Sequence, residues 1–368
     1  MTTVTPPSPT ADAIAEPWAS EQTITCRDDR VGLRAIIAID DTTLGPGFGG
    51  VRYRAYPSTE AAAREAQRLA AAMTLKHGLA ELPYGGAKSV VVLDGPVPAP
   101  GSPERRALFA RFGEMIARTA GTYIPGVDMG TLLEDMQTIR DDGGARAFCD
   151  EVSPSPFTAR GVYAAMRAAA VHEHGEGGLD GLHVVVQGVG SVGEEVARLA
   201  HRDGARVTVA DIDTARAQAL ATELGGQTVE TQAAPFAEAD VFAPCAVARV
   251  VTREAIPRIR ARIIAGAAND TLDTPDCAEA LRAAGITYVP DFVANAGGVI
   301  QVHGGVAGWS DAETLAAVDG RRLVRDPRAQ LGATGALSEV GVDLRRGRGG
   351  RRALAGDLDG PGGVGAAA

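Results

Sequence analysis

Residues 179–213 read LDGLHVVVQGVGSVGEEVARLAHRDGARVTVADID. An apolar run ending at Gln187 meets glycine at once, a helical stretch of mixed apolar and charged residues follows, and a second β-branched run closes the segment. That order is strand, tight turn, helix, strand, the unit in which two parallel strands need a helical crossover. Gly188, Gly190 and Gly193 form G-x-G-x-x-G at the turn. The first glycine permits the sharp turn. The second lets the backbone approach a pyrophosphate, and the third lets helix and strand pack closely. Ser191 and Val192 complete the turn, where the positive end of the helix favours an anion. Asp211 ends the second strand, 18 residues on from Gly193, where a carboxylate can bond both ribose hydroxyls. It would repel a 2′-phosphate, so NAD is favoured over NADP, with Asp213 a weaker candidate for the same contact. The alternative for the glycines is a tight turn in some other α/β domain.

Further strands at about 240–244, 262–266 and 286–289 alternate with helices, so this half is a doubly wound α/β domain. Upstream, 33–39 reads as a strand, 40–50 as a loop and 51–56 as a short strand. A helix capped by Ser58 or Thr59 runs to about His77, followed by a strand at 87–93 and a helix at about 103–119. Then 122–131 reads as strand into loop, with Asp128 at the strand end. The upstream half is therefore α/β as well. Ser153–Pro156 reads as a hinge. The expected organisation is a tail at 1–17, one domain at 18–152, a Rossmann-type domain at 153–305 and a C-terminal return segment at 306–368. The tail is expected to be disordered and does not read as a signal peptide. From about 321 the text turns rich in Arg and Gly without helical period, and poor order is expected there.

Of the 36 basic residues, 34 are arginine, and Lys76 and Lys88 are the two lysines. An arginine in a protein does not give up its proton, whereas a buried lysine can shift its pKa and act as acid, base or nucleophile. Two lysines kept 12 residues apart in an arginine-dominated chain point to chemistry that arginine cannot perform. A net charge of −10 disfavours nucleic acid and anionic membranes as general partners. The arginine-rich 345–352 lacks interleaved aromatics, so an RNA contact is not favoured. No apolar run approaches the roughly 20 residues that span a bilayer. Cys26, Cys149, Cys245 and Cys277 are far apart and form no C-x-x-C pair, which argues against zinc or a disulfide framework and for the cytoplasm. His172 and His174 form H-x-H with no further ligand at metal spacing, so no metal is expected.

Around the lysines the sequence is MTLKHGLAELPYGGAKSVVV (73–92), with LGPGFGGVR (44–52) before it and PGVDMGTLLEDM (125–136) after it. With SPFTARGV (155–162), VQGVGSVG (186–193), VFAPCA (241–246), IIAGAAND (263–270) and PDFVANAGGVI (290–300), the chain resembles the glutamate/leucine/phenylalanine/valine dehydrogenase family from about residue 25 to 310. The resemblance implies an upstream substrate and oligomerisation domain, a downstream NAD-binding domain and a homo-oligomer. It also implies the reversible NAD-dependent oxidative deamination of an L-amino acid to the 2-oxo acid and ammonium. Gly49, Gly50 and Lys76 would hold the substrate carboxylate. Lys88 would be the catalytic lysine and Asp128 its partner acid/base, the alternative for Asp128 being an Asx turn after Pro125–Gly126. Asn269 and Asn295 would position nicotinamide and substrate. Thr158, with Cys245 and Ala246 through their backbone, would lie beside the cofactor. The chemistry fits. Hydride loss from an amino acid leaves an iminium that water must attack, and a partly desolvated Lys88 near Lys76 can take and return that proton. Lys76 is expected to stay charged against the carboxylate.

Glutamate-specific members carry a lysine before the Gly-Gly pair, where this chain has Phe48. A ring there leaves a substrate side-chain carboxylate unpaired, so an apolar substrate is expected. Val299 and Val302 match side-chain pocket positions. They favour the leucine/valine type, although other segments are as similar to phenylalanine-acting members. The alternative for Phe48 is plain core packing. The chain departs from the family at 247–250 (VARV), at Asp270, where a second Asn is usual, and after about 320. Those departures leave a second reading, a catalytically impaired paralogue that binds nucleotide or amino acid as a sensor or subunit.

Overall fold

The computed structural model describes residues 19–148 and 153–320. The expected tail, Cys149, and the Arg/Gly-rich segment from 321 lie outside them. Two sheets organise the chain. The first begins with β1 (Gln22–Asp28), β2 (Leu33–Asp41) and β3 (Gly47–Arg54), then α1 (Thr59–Leu79), β4 (Gly85–Val92), α2 (Pro103–Ala117), β5 (Tyr123–Val127) and α3 (Leu133–Asp141). Its strand order is β1-β2-β4-β3-β5. β1 and β4 run antiparallel to β2, whereas β3 is parallel to both β4 and β5.

The period-two alternation of β2 decides what covers this sheet. Leu33, Ala35, Ile37 and Ile39 pack with Phe109, Phe112 and Ile139 of α2 and α3. Ile36 and Ala38 face the other way, onto Ala62, Ala66 and Ala70 of α1. The small residues of α1 let that helix lie close to the sheet. Its start is fixed by Ser58, whose side chain accepts from the Ala61 N–H, and Lys76 and His77 fall in its last turn.

The second half runs α4 (Ser155–His174), β6 (His183–Gln187), α5 (Ser191–Arg202), β7 (Arg206–Ala210), α6 (Thr214–Leu224), β8 (Gln227–Thr228), β9 (Val241–Pro244), β10 (Ile263–Ile264), α7 (Cys277–Ala283) and β11 (Thr287–Tyr288). Its six strands lie in the order β11-β10-β9-β6-β7-β8, every neighbouring pair parallel. Read from the other edge, that is the doubly wound order whose topological switch lies at β6 and β9. Apolar cores cover both faces. The chain then returns through α8 (Asp291–Ala294), α9 (Gly297–Ala307) and α10 (Asp311–Gly320) toward the first half. There Ile300 and Val318 pack with Phe48, Tyr84 and Phe148.

Several elements differ from the sequence reading, the unread α3 and β8 among them. β1 was not anticipated. It is an edge strand with a mostly exposed pattern, so its apolar alternation is weak. β3 starts inside the expected loop, at Gly47. A Cβ on Gly49 would lie 1.6 Å from the Ala87 carbonyl oxygen, so these glycines let β3 and β4 approach. α4 starts at Ser155, inside the stretch read as a hinge, with a proline in its first turn, where no intrahelical N–H is needed.

Candidate active site

A cavity of about 780 Å³ opens between the two sheets, lined by α1, β4 and β5 on one side and by the ends of β9 and β10 with α8 and α9 on the other. Lys88 is in the middle of β4, level with Gly50 of β3, which in turn pairs with Gly126 of β5. Side chains in that row would fill the space over the sheet. Lys88 instead crosses Gly50 to reach Asp128 beyond the end of β5, its Nζ 3.0 Å from Asp128 Oδ2. A Cβ on Gly50 would sit 2.6 Å from the Asp128 Cβ and 3.1 Å from Lys88 Nζ. Asp128 is held through its backbone: its N–H donates to Thr131 Oγ1, which itself donates to the Val51 carbonyl.

Burial depresses the Lys88 pKa; Asp128 opposes that fall and Arg52 adds to it. Burial also works against the Asp128 charge, but Lys88 and Arg52 outweigh it and hold the carboxyl down at about 2. The pair is thus an ionised carboxylate beside a lysine held below its ordinary pKa. Lys76 lies across the cleft from α8. Burial pulls it down to about 8 against the attraction of Asp291. Its Nζ reaches Asn269 Oδ1 at 3.5 Å, and Asn295 Nδ2 donates to the same oxygen at 2.8 Å. The Asn295 Oδ1 is buried and accepts from none of the described residues.

Phe48 is buried and lines the cavity. It stacks on His77 with ring centres 5.1 Å apart and meets Phe148 edge-on at 4.5 Å. Val299 and Val302 pack against the same cluster and face the cavity too. This wall carries no charge. His77 Nδ1 lies 2.9 Å from the Gly85 carbonyl, which can only accept, so Nδ1 carries a proton, and burial of the ring keeps it neutral. Gly49 does not line the cavity; its carbonyl accepts from the Tyr123 hydroxyl.

At the switch point Gly188 has φ +92°, and a Cβ there would lie 2.3 Å from the Ala246 Cβ. A Cβ on Gly193 would lie 1.9 Å from the Gly188 carbonyl oxygen, whereas one on Gly190 would meet nothing within 4 Å. The first and third glycines are therefore needed for close packing, and the second leaves open space at the start of α5. Asp211 accepts from the N–H groups of Val189 and Asp213 and from Arg216. Thr158 and Cys245 line the cavity, and burial pushes the Cys245 thiol up to about 12, so it stays a neutral thiol. His172 and His174 lie at the exposed end of α4, and no group of three or more metal-type side chains occurs among the described residues.

The relatives match this architecture. Residues 20–143 match the Glu/Leu/Phe/Val dehydrogenase dimerisation domain, and residues 209–304 match Glutamate/Leucine/Phenylalanine/Valine dehydrogenase. The chain is 40% identical to leucine dehydrogenase of Bacillus cereus over 309 residues, 83% of each chain. The chain belongs to the Glu/Leu/Phe/Val dehydrogenase family. As a member of that family it is an amino-acid dehydrogenase, an oxidoreductase of the NAD(P)-linked kind. Phenylalanine dehydrogenase of Bacillus thermotolerans is 36% identical over 80% of this chain and 79% of that one. The solved L-tryptophan dehydrogenase of Nostoc punctiforme superimposes with a TM-score of 0.73 at 32% identity, covering 89% of this chain and 94% of that one. No helix among the described residues is long and apolar enough to cross a membrane.

Two members of the site in this Glu/Leu/Phe/Val dehydrogenase were missed in the sequence. Arg52 donates to Asp128 Oδ2 at 2.8 Å and to Glu65 at 2.6 Å. It is one arginine among 34, and only the strand register shows that it stands beside Asp128. Asp291 faces Lys76 electrostatically and accepts from the Asp270 N–H. Its place in PDFVANAGG gave no hint of that partner.

Proposed function

We propose that the chain catalyses NAD-dependent oxidative deamination of a small branched-chain L-amino acid such as leucine or valine. The observation that carries this reading is Lys88 crossing Gly50 to Asp128 in a cavity whose far wall is Phe48, Val299 and Val302. Lys76, with the backbone around Gly50, would hold the substrate carboxylate, and binding that anion would raise the Lys76 pKa and keep the ammonium charged. The uncharged aromatic wall disfavours glutamate, because its second carboxylate would be buried without a partner. The leucine dehydrogenases of Bacillus cereus and Bacillus subtilis, at 40% and 39% identity, support the branched-chain choice over the aromatic one.

The residues present fit a dinucleotide. Gly190 leaves the second turn position open at the start of α5, and Asn295 Oδ1 lacks a donor that a carboxamide or amino group supplies. Asp211, already ionised by its N–H donors and Arg216, suits a pair of ribose hydroxyls better than a phosphate. Gly188, Gly190, Ser191, Val192 and Gly193 would hold the pyrophosphate, with Thr158, the backbone of Cys245 and Ala246, and Asn269 nearer the reacting ring. Bound nicotinamide supplies the acceptor for the hydride that leaves the substrate Cα. Asp128 holds the amino group and takes a proton from the substrate ammonium before the hydride leaves; Lys88, as free base, then takes a proton from the water that adds to the substrate iminium. As the carbinolamine collapses Asp128 returns its proton to the nitrogen, and the hydroxyl proton leaves with ammonia as ammonium. The relatives give no support to the impaired-paralogue alternative.

Residues 18–152 would carry substrate and self-association, 153–305 the dinucleotide, and 306–320 the return to the first half. The match to a dimerisation domain and the outer edge of β1, unpaired among the described residues, support a homo-oligomer. A screen of L-amino acids with NAD and with NADP, read as reduced cofactor, tests the proposal. Turnover of leucine or valine with NAD is expected. Turnover confined to phenylalanine or tryptophan, or to NADP, would overturn the finer part of the reading.

A further inference from the structure

Arg52 follows Val51, which pairs with Ser89 of β4 and Val127 of β5, so its side chain emerges beside both Lys88 and Asp128. It is nearly buried. Two of its donors go to two different carboxylates: Nε to Asp128 Oδ2 at 2.8 Å, and a terminal nitrogen to Glu65 Oε1 of α1 at 2.6 Å. The Tyr56 hydroxyl donates to that same Glu65 oxygen at 3.2 Å, fixing the far end of the chain. Lys88 also uses Asp128 Oδ2. One oxygen therefore takes both cations, and no described residue donates to Oδ1 although Asp128 lines the cavity.

This arrangement bears on a difficulty in the deamination itself. A buried lysine alone with a buried carboxylate pairs as ammonium and carboxylate, and the attraction that stabilises the pair keeps the lysine protonated. Such a lysine is no base. A guanidinium stays charged at every accessible pH and, through its fork, can hold two acceptors at once. Placed on Asp128 it supplies the charge that keeps the carboxylate ionised, so that Lys88 need not.

We propose that Arg52 is a positioning residue for the reaction: it fixes Asp128 through Oδ2, competes with Lys88 for that carboxylate, and leaves Oδ1 for the substrate amino group. This rests on the reading of Lys88 as the base. The charged and titratable groups facing Lys88 are Asp128 after β5, Arg52 of β3, and Glu65 and Lys76 of α1. Asp291 of α8 faces Lys76, and Tyr123 of β5 faces Asp128. Of these, Arg52 and Lys76 favour the neutral form of Lys88, while Asp128 and Glu65 oppose it. Arg52→Gln therefore raises the Lys88 titration, and Glu65→Gln, which removes an opposing charge and frees Arg52 for Asp128, lowers it.

The two-lysine composition makes the test direct. Lysine 13Cε-labelled full-length protein gives two side-chain signals, and Lys76→Arg assigns them. Their titration is followed alongside the pH profile of kcat/KM for the wild type, Arg52→Gln, Arg52→Lys and Glu65→Gln. The Lys88 titration and the acid limb of kcat/KM should both move up by about one pH unit or more in Arg52→Gln. Activity at neutral pH should fall about tenfold or more there and return in alkali. Arg52→Lys, whose single ammonium cannot span both carboxylates as the guanidinium fork does and which adds a third lysine signal, should lie between in the pH profile, and Glu65→Gln should move the other way. Arg52→Gln losing activity equally at all pH with the Lys88 titration unmoved overturns the proposal. Glu65→Gln shifting upward overturns it as well, even where Arg52→Gln fails to fold. A Lys88 titrating at the ordinary lysine value in the wild type overturns instead the reading of Lys88 as base.

Discussion

Gly50 bears more of the site than its size suggests. Lys88 can reach Asp128 because nothing projects from the strand between them, and a methyl group there would lie 2.6 Å from the Asp128 Cβ. Gly50→Ala is therefore expected to push Asp128 and Lys88 apart while the fold survives. The check is kcat/KM, expected to fall about 100-fold, the order of loss that misplacing a reacting group brings, against a thermal midpoint lowered by only a few degrees. Activity near the wild-type level would show that the two side chains need not share this trench. Lys88 was legible because lysine is scarce here, and Asp128 through the resemblance of PGVDMGT to the family's sequence. Arg52 was not legible, since a residue type that supplies most of the positive charge carries no signal of its own and strand register is not written in the sequence.

His77 belongs to the residue scale as well. Burial pushes its pKa down to about 3. The folded state therefore keeps the ring neutral where the unfolded chain, near 6.5, takes up a proton. The unfolded state binds more protons, so stability is lost as pH falls below about 6.5, at roughly 1.4 kcal/mol per pH unit until the folded pKa is reached. Denaturant titrations between pH 7 and 5 should show that slope in the wild type and lose it in His77→Gln. An equal slope in both would assign the acid sensitivity to other groups.

At the scale of elements, the turn from β6 into α5 was read correctly because Gly188 and Gly193 each answer a separate steric demand. The same reasoning failed for β3, whose glycines looked like a loop. They are strand residues that allow two backbones to meet, and sequence does not distinguish the two uses until the neighbouring strand is known. A Cβ on Gly193 would lie 1.9 Å from the Gly188 carbonyl. Gly193→Ala should therefore force α5 away from β6 and weaken NAD at least tenfold, read by fluorescence titration, whereas the space around Gly190 predicts that Gly190→Ala folds normally and loses only cofactor. Equal destabilisation by both substitutions would contradict the division of roles.

At the scale of the molecule, two of the three departures from the family pattern meet. Asp270 receives Arg249 at 3.2 Å from its own half and Arg68 of α1 at 2.8 Å from across the cleft. Nothing in the sequence joins residues so far apart, and this link was unreadable before the halves were placed together. The groups are partly exposed, so the link is worth about 0.2–1 kcal/mol and is screened by salt. Asn tolerates the φ of +60° at this position. Asp270→Asn is expected to lower stability by that small amount at low ionic strength and by less at high, measured by thermal unfolding in both. A loss undiminished by salt would point to backbone strain rather than charge.

The two halves of the chain converge on a lysine that must shed its proton beside a carboxylate that rests ionised. Lys88→Arg tests that requirement most directly, because it keeps the charge and removes the ability to give it up. Single-turnover measurement with saturating NAD and leucine should show no reduced cofactor beyond background while NAD still binds with wild-type affinity; turnover at the wild-type rate would contradict the account.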